Sequence, residues 1–350
     1  MEPLFSCEER HRKDLRDRKN RKNNNKKTMR KIIILLMAMT MMAVSADAQR
    51  PKIGLVLGGG GAKGAAEIGA LKVLEECGIV PDYIAGTSIG SILGGLYAVG
   101  YRSKELDALF RTQEWLSLLT DRQQEFRNDP LREQDGVVYI FGFPVSRKKK
   151  QEKDKSPALV GVLNGDEVTA LLDSMTHRPY EVQFDSLPIP FRAVTVDING
   201  PTEIVLDHGV LSRAMRASMA IPGVYKPVRW GAWTLVDGGM LNNLPVDVVR
   251  AMGADIVIAI DVNNEDHDTR DFSLSEMLGI GGILDWLVSR PDWKKTNENR
   301  ANADILIRPN MEGYDVMSFS LESIERMIAL GEQAARRQVH ALRSVSRATH

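Results

Sequence analysis

Two glycine-rich turns, each set between an apolar run and a helix-like segment, constrain the fold of this chain more than any other feature. In each unit a short apolar run leads into the turn, and apolar residues at helical spacing follow it. The first unit comprises residues 52–57, 58–64 and 65–77, and the second comprises residues 82–85, 86–90 and 91–99. A strand that passes through a tight turn into a helix is the building block of parallel α/β sheets. The sequence therefore predicts an α/β domain.

The same alternation continues towards the end of the chain. Strand-like segments lie at residues 137–145, 191–198, 202–206, 234–236, 255–262 and 304–307, and helical segments at residues 101–120, 246–252 and 321–342. Asn199-Gly200 separates two of these strands and is a favourable hairpin turn. No proline- or serine-rich linker divides residues 49–350, so we expect one α/β domain with a largely parallel central sheet.

The first 48 residues differ from the rest and predict a leader. Met29-Arg30-Lys31 begins a positive segment, residues 32–44 form an apolar run, and Ala46-Asp47-Ala48 supplies a small-x-small cleavage signal. The apolar run is too short to span a bilayer comfortably. We predict a basic extension and signal peptide over residues 1–48, with Met29 as the better start, and a single α/β domain over residues 49–350. The protein is then exported, to the periplasm or outer membrane or into the medium.

Charge argues against one class of partner. The chain has 46 basic and 46 acidic residues, of which residues 1–48 hold 12 and 6, so residues 49–350 carry a net charge of about −6. Nucleic-acid binding requires a basic surface that neutralises phosphates, and no such partner is expected. The charge run at residues 146–155 is interpreted as a solvated loop or as a contact for anionic lipid headgroups.

The turn of the second unit, Gly86-Thr87-Ser88-Ile89-Gly90, matches the G-x-S-x-G pattern of a nucleophile elbow. In an elbow a strand turns sharply into a helix, and the glycines permit the strained backbone that exposes the serine hydroxyl. The helix predicted after Ser88 places its positive dipole end beside that hydroxyl, which favours the negative charge of attack. Ser88 is therefore the candidate nucleophile, with Gly86 and Gly90 as motif glycines.

The turn of the first unit, residues 58–64, is a candidate anion site because several backbone N–H groups can point at one anion. A dinucleotide site is one interpretation, but it expects an acidic residue at the end of the second strand, whereas Asp82 opens that strand. The other interpretation is an oxyanion hole for acyl transfer, which we favour because Ser88 follows the second strand. The candidate donors are Gly59, Gly60, Gly61 and Ala62, and Gly64 completes the motif.

A serine of ordinary pKa needs a base, most often a histidine. The histidines lie in the leader, at the C-terminus or in polar and helical contexts without a strand-end signature: His11, His177, His208, His267, His340 and His350. Asp237 instead ends a predicted strand before Gly238-Gly239, so in a parallel sheet its carboxylate emerges at the edge where Ser88 is expected. Burial can raise a carboxyl pKa enough for it to take the serine proton. The alternative for Asp237 is a plain Asp-Gly turn.

Together, the glycine loop, the Ser88 elbow and Asp237-Gly238-Gly239 closely resemble, in order and spacing, the three motifs of patatin-like phospholipases. Residues 217–227 resemble the Ala-Ser-x-Ala-x-Pro segment of that family, and residues 241–245 resemble its Asn-x-Pro tail. The resemblance covers about residues 53–262. It implies a three-layer α/β/α sandwich, a Ser88–Asp237 dyad, and an oxyanion hole made by the glycine-loop amides. It also implies hydrolysis of acyl esters of phospholipids or related lipids at a membrane surface, without a cofactor or a metal.

Two other functions remain open from the sequence. An α/β-hydrolase esterase would use a Ser-Asp-His triad, which His267 or His340 would complete. A catalytically silent protein would keep the same fold and only hold a lipid.

Overall fold

A computed structural model describes residues 29–31, 50–121, 133–134, 137–138, 163–263 and 292–349. The chain forms two compact units, Met1–Arg50 and Pro51–His350, and the fold described below is that of the second unit. Within the described ranges, no helix combines the length and apolar character needed to cross a membrane. The predicted apolar run at residues 32–44 and the charge run at residues 146–155 lie outside the described residues.

Strands and helices alternate along most of this unit. The strands are β1 (Ile53–Leu57), β2 (Tyr83–Thr87), β3 (Glu133–Gln134), β4 (Val137–Val138), β5 (Val182–Gln183), β6 (Phe191–Asp197), β7 (Thr202–Leu206), β8 (His208–Gly209), β9 (Val228–Trp230), β10 (Trp233–Asp237), β11 (Ile256–Ile260) and β12 (Ile305–Ile307). The helices are α1 (Ala65–Glu76), α2 (Ile89–Val99), α3 (Ser103–Thr112), α4 (Trp115–Leu119), α5 (Asp166–Thr176), α6 (Leu211–Ser218), α7 (Val246–Ala251), α8 (Trp293–Asn302), α9 (Leu321–Arg337) and α10 (Val339–Thr349). The helix predicted over residues 321–342 is thus two helices that divide at Gln338.

The central sheet has the order β12-β11-β1-β2-β6-β10-β9, and β7 also pairs with β6. From β12 to β6 all neighbours are parallel. By contrast, β7 and β10 are antiparallel to β6, and β9 is antiparallel to β10. The apolar run of β1 is buried along its whole length, as expected for a parallel strand covered on both faces. The predictions of a largely parallel sheet and of a hairpin around Asn199-Gly200 are confirmed.

Helices cover both faces of this sheet. Alternate side chains of a strand point to opposite faces. Ile53, Leu55 and Leu57 of β1 belong to a core cluster shared with α1, α2 and α9, whereas Val56 belongs to a second cluster that contains Val246 of α7. The fold is therefore a three-layer α/β/α sandwich, as the resemblance implied.

One edge of β6 is shared by two strands that meet end to end. β2 pairs with residues 191–194, and its last residue, Thr87, lies opposite Val194. β10 comes from the opposite direction and pairs with residues 195–197, with its last residue, Asp237, opposite Thr195. β7 covers the other edge of β6. Since Val194 and Thr195 are consecutive, the ends of β2 and β10 are adjacent.

This arrangement corrects the expectation that Asp237 ends a strand parallel to β2. β10 runs antiparallel to β6, and β6 runs parallel to β2, so β10 and β2 point towards each other. Ser88, which follows Thr87, and Asp237 are brought together because two opposed strands stop at the same place. A short apolar run predicts a buried strand but not the direction of that strand. The sequence pattern therefore gave the wrong direction for β10.

Candidate active site

Ser88 occupies the sharp turn between β2 and α2. It follows Thr87, the last residue of β2, and immediately precedes Ile89, the first residue of α2. Its backbone has φ 55° and ψ −124°, a conformation that few residues other than glycine adopt. Backbone strain of this kind persists only where the surroundings enforce it, and it is characteristic of a nucleophile elbow.

Two glycines make room for this turn. A Cβ atom at Gly86 would lie 2.2 Å from the carbonyl oxygen of Gly90, and a Cβ atom at Gly90 would lie 2.3 Å from the carbonyl oxygen of Leu57. Both distances are far below van der Waals contact, so any side chain would push the elbow apart. Gly86 and Gly90 are therefore required by close backbone approach.

Hydrogen bonds from a distant helix hold the elbow in place. The Ser88 N–H donates to the Ser218 hydroxyl at 2.9 Å, and that hydroxyl donates to the Val194 carbonyl at 2.6 Å. Ser218 thus joins the elbow to β6. Sequence reasoning included Ser218 in the Ala-Ser-x-Ala-x-Pro segment but gave it no role, and that motif was the signal that could have pointed to it.

Asp237 lies beside Ser88 with few partners. Its Oδ1 accepts the Gly239 N–H at 2.8 Å, and its Oδ2 is buried without a hydrogen-bond partner among the described residues. Burial raises the pKa of Asp237 to about 6, although the neighbouring Ser88 hydroxyl and the Gly239 amide lower it in part. A carboxylate with a pKa near neutrality can accept a proton from a hydroxyl group. Gly238 packs closely against Val194 of β6.

The two residues face one small cavity. Its walls are formed by Gly60, Ser88, Ile221, Pro222, Asp237, Gly239, Met240 and Asn243. The cavity combines a hydroxyl and a carboxylate with apolar side chains, a mixture that is typical of small-molecule binding sites.

The glycine loop borders this cavity at Gly60, and two of the four candidate amides already donate hydrogen bonds elsewhere. The Gly59 N–H donates to the Asn243 carbonyl at 3.1 Å, and the Ala62 N–H donates to the Val316 carbonyl at 3.0 Å. The amides of Gly60 and Gly61 have no such partner within the described part of the chain, and Gly60 lines the cavity. The candidate oxyanion donors are thus narrowed from Gly59, Gly60, Gly61 and Ala62 to Gly60 and Gly61.

The end of the glycine loop links it to the elbow. Residues Gly61–Gly64 form a 3-10 turn that leads into α1. Gly64 approaches the Ile89 side chain so closely that a Cβ atom would lie 2.5 Å from it. The loop and the first turn of α2 are therefore packed directly against each other.

The histidines that the structure describes lie away from this cavity. His177, His208 and His340 are exposed, and none of them contributes to its walls. His11, His267 and His350 lie outside the described residues. Within the described ranges, no three His, Cys, Asp or Glu side chains form a group that could hold a metal ion.

Fold and site together define an α/β protein with a nucleophile elbow whose serine faces a buried aspartate. The patatin-like phospholipase family model matches residues 55–250, which is more than half of the chain. The chain belongs to the patatin-like phospholipase family, as its motifs indicated.

Relatives from animals and bacteria share this domain. The chain is 36% identical over 253 residues to human patatin-like phospholipase domain-containing protein 6, covering 70% of this chain and 15% of that protein. It is 32% identical over 258 residues to rat patatin-like phospholipase domain-containing protein 7, covering 73% and 16%. It is 32% identical over 216 residues to an uncharacterized NTE family protein of Mycobacterium tuberculosis, covering 62% and 50%. The chain thus spans less than a fifth of the two animal relatives and half of the bacterial one.

Solved structures show a more distant similarity. VipD from Legionella pneumophila gives a TM-score of 0.45 at 15% sequence identity, covering 84% of this chain and 67% of that one. The type III effector protein ExoU gives a TM-score of 0.40 at 16% identity, covering 84% and 54%.

Proposed function

We propose that this protein is a serine acyl hydrolase that cleaves acyl esters of phospholipids or related lipids. The observation that carries this proposal is the meeting of Ser88 and Asp237 in one cavity, with Asp237 buried and its pKa raised to about 6. The substrate class rests on membership of a family named for phospholipases and on the apolar walls contributed by Ile221, Pro222 and Met240.

The first half of the reaction transfers the acyl group to Ser88. Asp237 removes the hydroxyl proton as Ser88 Oγ attacks the ester carbonyl carbon, and the carbonyl π electrons move to oxygen. The Gly60 and Gly61 amides donate to this oxyanion. The intermediate collapses by breaking the bond to the alcohol oxygen, which takes the proton from Asp237 and leaves as the free alcohol or lysolipid.

The second half returns the enzyme to its starting state. Asp237 accepts a proton from water while the water oxygen attacks the acyl carbon, and a second oxyanion forms in the same position. Its collapse breaks the bond to Ser88 Oγ, which recovers the proton from Asp237, and the fatty acid leaves. In both halves α2 has its N-terminal end next to Ser88, and its dipole stabilises the developing negative charge.

A place of action is also proposed from the sequence. Residues 1–48 are proposed to be a leader that directs export to the periplasm, the outer membrane or the medium, with a lipid surface as the source of substrate. The N-terminal residue of protein purified from its native host tests this step. We expect Gln49, and an N-terminus at Met1 or Met29 would contradict it.

The activity is tested by a lipid panel. Phospholipids, lysophospholipids and neutral acyl esters are incubated with the protein and with Ser88→Ala, and released fatty acid is measured. Ser117→Ala serves as the matched control, since Ser117 is also buried and its hydroxyl has no partner among the described residues. We expect Ser117→Ala to release fatty acid at the wild-type rate and Ser88→Ala to release none. Full activity of Ser88→Ala would overturn the proposal.

A Ser-Asp-His triad is the enzymatic alternative. His340 is exposed on α10 and is not among the residues that line the Ser88 cavity. His267→Ala and His340→Ala, measured singly on the best substrate of the panel, complete the comparison. We expect both variants to keep wild-type kcat, and loss of activity in either would favour the triad.

A further inference from the structure

Asn243 holds the glycine loop by two hydrogen bonds to a single residue. Its side-chain Nδ2 donates to the Gly59 carbonyl at 3.1 Å, and its own carbonyl accepts the Gly59 N–H at 3.1 Å. Asn243 is buried, and it lies six residues after Asp237 in the segment that follows β10. It therefore ties the glycine loop to the segment that carries the candidate base.

The geometry of a peptide bond gives this contact a consequence for the oxyanion hole. The carbonyl of Gly59 and the N–H of Gly60 belong to the same planar trans peptide, in which the C=O and N–H bonds point in opposite directions. Fixing the Gly59 carbonyl on Asn243 Nδ2 therefore fixes the direction of the Gly60 N–H. Gly60 lines the cavity of Ser88, and its amide has no other partner within the described ranges.

We propose that Asn243 is a positioning residue whose side-chain amide holds the Gly59–Gly60 peptide so that the Gly60 N–H faces the oxyanion. This inference rests on the proposed hydrolase function. It assigns a role to the Asn-x-Pro segment at residues 241–245.

The orientation of the second candidate donor, the Gly61 N–H, is determined by a different contact. The Gly61 N–H shares its peptide with the Gly60 carbonyl, which accepts the Lys63 N–H at 3.2 Å within the local turn. The orientation of this peptide thus depends on backbone groups alone. Replacing the Asn243 side chain should release one donor and leave the other, so we expect a partial loss of activity.

The neighbouring asparagine offers a matched control. Asn242 is as buried as Asn243, but its Nδ2 donates to Glu203 Oε1 at 3.0 Å and to Asp247 Oδ1 at 2.9 Å. Its side chain makes these contacts away from the glycine loop. Asn242→Ala removes a buried amide of the same size at the adjacent position, so it reports the cost to stability without the proposed effect on the oxyanion.

The experiment compares kcat and KM of the full chain with those of Asn243→Ala, Asn242→Ala and Ser88→Ala on a soluble acyl ester, normalised to the folded fraction. Loss of one oxyanion donor lowers kcat by about 10²- to 10³-fold, and a released donor that still samples its position should cost about 10- to 100-fold. We expect this fall for Asn243→Ala with KM within about threefold, and kcat of Asn242→Ala within about threefold of wild type. The pH at which activity declines should not move, because Asn243 acts on the oxyanion and not on Asp237.

Each contrary outcome has its own meaning. If Ser88→Ala is inactive but Asn243→Ala keeps wild-type kcat, or changes only KM, the role of Asn243 is wrong while the proposed function stands. An equal fall in kcat for Asn242→Ala would likewise show that Asn243 is merely structural. If Ser88→Ala keeps full activity, the proposed function itself fails. Should Asn243→Ala not fold, Asn243→Ser on the same ester and the rate of serine labelling by a fluorophosphonate give the same decision.

Discussion

Asp237 and Asp261 lie at the ends of two strands of the same sheet, yet their surroundings differ. Asp237 ends β10 and Asp261 follows the last residue of β11, and both are buried. Asp261 accepts hydrogen bonds from the Arg300 Nε–H at 2.7 Å and from the Asn263 N–H at 2.9 Å. Asp237 accepts the Gly239 N–H and has the Ser88 hydroxyl beside it, and none of the described cations pairs with it.

The difference separates a structural carboxylate from a candidate base. A buried carboxylate that pairs with arginine neutralises the arginine charge. Removing either partner leaves the other as a buried ion without a countercharge. A buried carboxylate without a cation becomes more basic, which the raised pKa of Asp237 reflects. Burial alone therefore does not single out a candidate base, whereas burial without a countercharge and beside a hydroxyl does.

The sharpest way to break this comparison is to neutralise Asp237. Asp237→Asn keeps the size of the side chain but cannot accept the Ser88 proton, so kcat should fall by about 10³-fold, within the range of general-base catalysis. The thermal midpoint at pH 8 should not decrease, since a buried unpaired carboxylate is removed. Hydrolysis of a soluble ester and a thermal melt measure the two effects. Wild-type kcat would show that Asp237 is not the base.

We expect the same substitution at Asp261 to lower stability and to leave activity nearly unchanged. Asp261→Asn leaves the buried Arg300 guanidinium without its counterion, and we expect a loss of about 3 kcal/mol in the free energy of unfolding. The kcat of the folded fraction should remain within about tenfold of wild type, in contrast to Asp237→Asn. Denaturant unfolding and the same ester assay check this. Unchanged stability would mean that the Asp261–Arg300 pair is not structural.

The pH dependence of activity sharpens the assignment of the base. Because the pKa of Asp237 is raised to about 6, the carboxylate is ionised at pH 8 and becomes protonated as the pH falls through that value. We expect kcat/KM to be constant above about pH 7 and to fall about tenfold per pH unit below pH 6. A plateau that continues down to pH 4 would contradict the assignment.

Glu67 extends the comparison to a third buried carboxyl, where the predicted effect is on stability and not on activity. Both of its carboxyl oxygens are buried, and neither makes a well-aligned hydrogen bond to a described residue. Its pKa is raised well above the ordinary value of 4.5, by burial first and also by the nearby charge of Asp261, while the Gly58 amide lowers it. The folded state thus binds a proton that the unfolded state releases above pH 4.5, so this contribution to stability is lost as pH rises.

Glu67→Gln removes that dependence. The free energy of unfolding of Glu67→Gln, minus that of wild type, should increase with pH by up to about 1.4 kcal/mol per unit above pH 4.5. The increase should stop at the pKa that Glu67 has in the folded wild-type protein. Denaturant unfolding at pH 5, 6, 7 and 8 measures the trend. A difference between the two proteins that does not change with pH would show that Glu67 is ionised in the folded protein.

Local patterns predicted much of this molecule. The two strand–turn–helix units, the elbow at Ser88 and the strand that ends at Asp237 all follow from apolar runs and glycine positions within a few residues of each other. These features depend on neighbours in sequence, so they are visible without knowledge of the fold.

Contacts between distant residues could not be predicted in the same way. The direction of β10 depends on its pairing with β6, and an apolar run carries no record of that pairing. The amides of Gly59 and Ala62 are occupied by carbonyls of Asn243 and Val316, which lie far along the chain. Which amides of a glycine loop stay free is thus a property of the tertiary structure.

The central claim is that Ser88 is an activated nucleophile, and mapping the site of fluorophosphonate labelling tests it most directly. The reagent bonds its phosphorus to an activated serine oxygen and releases fluoride, so the modified residue can be located by peptide mass spectrometry. We predict one phosphonyl group per chain, attached to Ser88, with activity lost in proportion to labelling, and no labelling of Asp237→Asn on the same timescale. Labelling of a different serine, or an unlabelled Ser88 in protein that hydrolyses lipid, would contradict the account.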